Sequence, residues 1–213
     1  MNKRIILGLY TLPLASIIAI IALVLRGQLG EVIPFENSEA WANNVVQPLY
    51  LMAQRLYIIS YTLPLFGLWA IYAYLAEDDN AERLAFWGFI FGLFGTALAL
   101  PTLGALAYSG PGFGQLFLQG VSNAPQLMLN IAMQDSMPLG IAAAIFYTLS
   151  YVLIGIAIIR SRGLSNTLAL IIIPHGAFLS FGFALYPLIY LSWLSLLVGG
   201  IWLIGHAYKK SSR

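Results

Sequence analysis

Six long apolar stretches divide the chain: about residues 5–25, 49–75, 84–107, 140–159, 164–185 and 188–204. Each is close to the roughly 20 residues that an α-helix needs to cross a bilayer. Polar and charged residues gather between them. The pattern predicts an all-α fold, a bundle of six transmembrane helices forming one domain over residues 1–213. The first stretch, after Lys3 and Arg4, is longer than a signal-peptide core. Val24-Leu25-Arg26-Gly27 offers no small-residue cleavage site, so the stretch reads as a retained span.

Four-residue spacing of small side chains marks two packing faces. Ala15 and Ala19 form one on the first span, and Gly88, Gly92 and Thr96 form another on the third. Two long loops are expected. In residues 26–48, Ser38 is placed to start a short interfacial helix with Trp41 as its anchor. In residues 108–138, Gly110-Pro111-Gly112-Phe113-Gly114 reads as a turn cluster, and Ala124 to Gln134 as a second interfacial helix. Tyr186-Pro187 makes a short link between the last two spans. The motif Tyr-Thr-Leu-Pro-Leu occurs at Tyr10 and again at Tyr61, and the match is not sustained beyond those residues, so it reads as coincidence.

Charge sets the expected orientation. With the N-terminus inside, the cytoplasmic side carries Lys3, Arg4, Arg83, Arg160, Arg162, Lys209, Lys210 and Arg213, against Arg26 and Arg55 outside. That bias places both termini in the cytoplasm and the protein in a plasma (inner) membrane. The composition agrees, with 60% hydrophobic and 8% charged residues and mean hydropathy +0.85. So few charges cannot cover a water-facing surface. A net charge of +2 gives no argument for nucleic-acid binding, and the absence of cysteine excludes disulfides and thiolate chemistry. No HExxH, GxSxG, P-loop or CxxC motif is present, and no Asp, Glu or Lys lies deep in a span.

The candidate centre is His175, between Pro174 and Gly176 in the fifth span. It lies eleven residues beyond Leu164, about 16 Å along a helix, near the middle of a hydrocarbon core about 30 Å thick. A neutral imidazole at that depth needs partners. The expectation is a tyrosine hydroxyl or a carbonyl freed by one of the interior prolines Pro13, Pro64, Pro101 and Pro174. On the second span Gln47, Tyr50, Gln54, Tyr57 and Tyr61 recur at helical spacing and share one face. Gln54, Tyr57, Tyr61, Tyr147, Tyr151 and His175 are therefore the candidate ligand-binding residues, with Arg55 beside them for an anionic group.

The basic N-terminus, Asn43-Asn44 in an outer loop, the charged turn from Glu77 to Arg83 and Arg160-Ser161-Arg162-Gly163 give a layout that resembles small bacterial six-helix membrane proteins of unknown function. The resemblance implies a topology and no activity. The leading expectation is a non-enzymatic membrane protein that binds or passes a small apolar molecule, or that serves as accessory subunit of a membrane complex. One alternative is an intramembrane enzyme or redox (haem) subunit using His175, although the other histidine, His206, lies at the cytoplasmic end of the last span, roughly two to three turns away in depth. Another is a membrane sensor or assembly partner. Haem is the one cofactor weighed, for the redox alternative alone, and the expected surroundings are the lipid bilayer.

Overall fold

The computed structural model describes residues 3–28, 36–161, 163–182 and 187–211. Glu31 and Pro34 of the first loop, Arg162 and Tyr186 lie outside them, and so does most of the expected link between the last two spans. Among the described residues the chain is helical without strands. The helices are α1 Lys3–Gln28, α2 Ser38–Val45, α3 Pro48–Thr62, α4 Pro64–Leu75, α5 Glu82–Leu118, α6 Ala124–Asn130, α7 Met137–Arg160, α8 Asn166–Phe181 and α9 Pro187–Ser211. A π-helical stretch, Ile131–Ser136, joins α6 to α7.

Proline explains many of the helix starts. Pro48, Pro64, Pro125, Pro138 and Pro187 sit in first turns, where the missing N–H would have no intrahelical partner. Side chains cap two others. Asn37 Oδ1 accepts from the Ala40 amide at 3.0 Å, and Ser165 Oγ accepts from the Thr167 amide at 3.2 Å. The cap of α2 is thus Asn37, with Ser38 already inside the helix.

Five helical segments are long and apolar enough to cross a membrane: α1, α3 with α4, α5, α7 and α9. The apolar α8 has 16 residues, about 24 Å at 1.5 Å per residue. Six full-length spans are therefore not all present among the described residues. The membrane helices close a ring: α1 packs on α3 and α4, these on α5, α5 on α7, α7 on α8, α8 on α9, and α9 back on α1. The hydroxyls of Tyr10 and Tyr208 approach to 3.3 Å, so the start of α1 and the end of α9 share one end of the ring. The turns after α4 and α7 lie there too: Glu77 to Asn80 border the same cleft as Ser161 and Gly163, and Tyr74 beside them packs on His206 near the end of α9.

Small residues set the closest approaches. Ala15 and Ala19 are buried. Gly88 and Gly92 lie against Ile154 and Ser150 of α7, and Ser150 Oγ donates to the Gly88 carbonyl at 2.7 Å. The expected close-packing face of the third span is present.

In the second expected loop the helix from Ala124 is present, as α6 and the π-helical stretch after it, but the turn cluster at Gly110 to Gly114 is not. α5 runs 37 residues, through Gly110-Pro111-Gly112-Phe113-Gly114 to Leu118. Tertiary contact overrides turn propensity here. Gly110 lies under Tyr50, and a Cβ on Gly114 would stand 2.5 Å from Val45. The glycines let α2 and the start of α3 press onto a helix. The turn comes later, at Gly120, whose φ of +97° favours glycine. Met128 of α6 joins Trp41, Ala42 and Val45 in a small core of its own. Trp41 is therefore buried among protein side chains and does not anchor at an exposed surface. The expected second span is one helical path, Pro48–Leu75, interrupted only in its hydrogen bonding at Leu63, whose backbone stays helical, because Pro64 has no N–H to donate.

Candidate ligand-binding site

The ring of helices encloses a chain of aromatic side chains with His175 at one end. His175 is wholly buried on α8. Its Nδ1 lies 3.0 Å from the Ser192 carbonyl oxygen and 2.8 Å from Ser192 Oγ, across the α8–α9 contact. Ser192 Oγ donates to the His175 carbonyl at 2.9 Å. The expected partners, a tyrosine or a proline-freed carbonyl, are replaced by one serine that engages His175 at both ring and backbone. The reason is hairpin geometry: His175 and Ser192 stand at nearly equal distances along the chain from residues 183–186, so antiparallel helices bring them level.

Two rings cover the imidazole. Tyr151 of α7 meets it edge-on at 4.6 Å between centroids, and Trp193 of α9 does so at 5.0 Å. The chain continues from Tyr151 to Tyr147 at 5.9 Å, from Tyr147 to Tyr61 at 5.7 Å, and from Tyr61 back to Trp193 at 5.7 Å. Tyr57 packs on Tyr61 and Trp193. Glycine makes this possible at Gly176, where a Cβ would stand 2.9 Å from both the Tyr147 carbonyl oxygen and Tyr151 Cβ. α7 can approach the helix turn that carries His175 only because that side chain is missing.

Tyr147 ties three elements together. Its hydroxyl accepts from Thr96 of α5 at 3.3 Å and donates to the Tyr61 carbonyl at 3.2 Å, close to the hydrogen-bond gap that Pro64 leaves. Nearby, Thr148 Oγ1 and Ser180 Oγ lie 2.7 Å apart, and Ser180 donates to backbone carbonyls of Ala144 and Gly176.

Three buried polar atoms have no such partner: Tyr151 Oη, His175 Nε2 and Trp193 Nε1 make no hydrogen bond. An unsatisfied group in a dry interior costs about 1–3 kcal/mol, and here three side chains that carry one pack ring against ring. Beside the cluster lies a small open recess of about 30 Å³. Small residues line it, among them Ala99, Gly140, Ala143 and Ala144, together with Tyr61, Tyr147, Thr102 and Ser180, and its surface is almost wholly apolar.

Of the sequence candidates, His175, Tyr57, Tyr61, Tyr147 and Tyr151 are brought together. Gln54 is buried on the same face of α3, one turn before Tyr57. Arg55 is exposed and turned away from the cluster. Trp193 and Ser192 were missed; the signal was their place in the last span, level with His175 across a short hairpin. His206 packs edge-on against Tyr74, fourteen residues beyond Ser192 and so about 21 Å along α9. The two histidines do not share a site. Among the described residues no group of three or more His, Asp or Glu side chains forms a metal-binding cluster.

Ser192 and His175 have the spacing of a nucleophile–base pair. The serine hydrogen, however, is directed to a carbonyl, and the pair is sealed by rings. The arrangement offers hydrogen bonds and aromatic surface, which suits binding. The chain matches no protein-family model, and it matches no curated protein and no solved structure.

Proposed function

We propose that the protein is a six-pass inner-membrane protein, both termini in the cytoplasm, that binds a small and largely apolar molecule reaching it from the bilayer. The observation that carries this reading is the cluster of unpartnered buried polar atoms on Tyr151, His175 and Trp193, next to a small-residue recess walled by Tyr61 and Tyr147. Ligand sites in membrane bundles have this composition, an apolar surface with a few convergent polar groups. The closed ring and the shared end of α1 and α9 support an even number of passes, with α8 as the core of the fifth. The basic residues of the sequence support the orientation.

Two experiments test the two halves. For topology, single cysteines at Glu39 and Ser122 are expected to react with an impermeant thiol reagent outside intact cells, while one at Ser212 is protected. Labelling at Ser212 in unbroken cells sinks the orientation. For binding, a lipophilic photoreactive probe dissolved in the bilayer is expected to label the recess residues of α5 and α7. Gly140→Leu should abolish that labelling, since a Cβ there stands 3.8 Å from Thr102 and the rest of the side chain fills the recess. Unchanged labelling in a folded Gly140→Leu protein removes the recess as the site.

A further inference from the structure

The hydrogen-bond pattern around His175 fixes which of its nitrogens carries the proton. The Ser192 carbonyl oxygen can only accept, and it lies 3.0 Å from Nδ1. The Ser192 hydroxyl gives its hydrogen to the His175 carbonyl, which leaves its oxygen free to accept from Nδ1 as well. The carbonyl contact therefore requires a proton on Nδ1, and the hydroxyl, with its hydrogen on the His175 carbonyl, can accept from it. In the neutral ring Nε2 is then a bare acceptor, buried and without a donor.

The other two unpartnered groups differ in kind. Trp193 Nε1–H can only donate, whereas Tyr151 Oη can donate or accept. A ligand oxygen that serves this set must give a hydrogen to Nε2 while taking one from Trp193 or Tyr151. A hydroxyl does both. A ketone, ester or ether oxygen only accepts and leaves Nε2 as it is. On the strength of the binding role proposed above, we propose that His175 Nε2 is the acceptor for a hydroxyl group, so that the ligand is a lipophilic alcohol or phenol. Tyr61 and Tyr147 stand between recess and imidazole: both line the recess, Tyr61 touches Trp193, and Tyr147 touches Tyr151. Tyr61 also lies in the last turn of α3, so the part of the wall that must turn to admit the hydroxyl sits where Pro64 leaves a gap in the helix's hydrogen bonds.

The test uses the full chain in lipid nanodiscs, with isotope-labelled histidine nitrogens and His206→Gln to leave a single imidazole signal. The probes are para-hexylphenol and its methyl ether, alike in shape and differing in the hydroxyl hydrogen. Without a probe, the nitrogen spectrum is expected to show a protonated Nδ1 and a bare Nε2. The phenol should move the Nε2 resonance to the hydrogen-bonded position and bind about 3- to 10-fold more tightly than the ether, the worth of one hydrogen bond. His175→Phe should bind both probes alike. Equal affinity of phenol and ether for the parent protein overturns the hydroxyl assignment and leaves the binding role standing. A probe-free Nε2 signal already at the hydrogen-bonded position, unmoved by phenol, assigns the acceptor to water and overturns the proposal. If neither probe binds, the binding role falls too, and this assignment with it.

Discussion

Gly176→Val is expected to be strongly disruptive within the membrane ring. The added Cβ would meet the Tyr147 carbonyl oxygen at 2.9 Å, Tyr151 Cβ at 2.9 Å and Thr148 Cα at 3.2 Å. Two of these are backbone atoms of α7, which cannot step aside as the end of a flexible side chain does. The helices must separate, and that pulls Tyr151 from His175 and Thr148 from Ser180. Overpacking of this kind costs about 1–3 kcal/mol, and backbone obstruction places it at the upper end. The control is Gly112→Val on α5, where nothing lies within 4 Å of the added Cβ. Unfolding both in mild detergent, with helicity followed against added denaturing detergent, should show a large loss for Gly176→Val alone. Equal midpoints would mean that α7 and α8 are not in close contact.

His175 should show an unusual contrast between two substitutions. His175→Ala empties the space between Tyr151 and Trp193, and removing a ring-sized buried side chain costs about 3–5 kcal/mol. His175→Phe keeps the ring. It also leaves no polar group stranded, because Ser192 Oγ still has the carbonyl of residue 175 and the Ser192 carbonyl still has its place in α9. It removes the bare Nε2 as well, and exchanging an unsatisfied buried polar group for an apolar one of like shape is nearly neutral or stabilising. Thermal unfolding should therefore rank His175→Phe equal to or above the parent, with His175→Ala well below both. That ranking would mark the imidazole as retained for something other than stability, as a binding role requires. If His175→Phe destabilised as much as His175→Ala, His175 would be a structural residue and the site would lose its centre.

Much of this was open to reading before the structure. The depth of His175 follows from counting along an apolar run. The shared face of Tyr57 and Tyr61 follows from helical spacing, and the packing face of Gly88, Gly92 and Thr96 from its four-residue period. Each depends only on residues close together in sequence. The errors have the opposite character. Gly110-Pro111-Gly112-Phe113-Gly114 has the composition of a turn, and it is helix because α2 and Tyr50 press on its glycines. Trp41 has the look of a membrane-interface anchor, and it is buried in a small core with Met128 of α6 and side chains of α5.

The sequence by itself determined that this is a helical membrane protein and that an ionisable ring lies deep in its apolar part. Hydropathy and period are local quantities, and a bilayer of known thickness converts them directly into helices and depth. Only the tertiary structure decided that Ser192 holds His175, that Trp193 completes its enclosure, and that Nε2 is left bare. Those facts depend on which helices are neighbours and in what register. Packing across the ring sets both, and no short-range pattern in the chain encodes them.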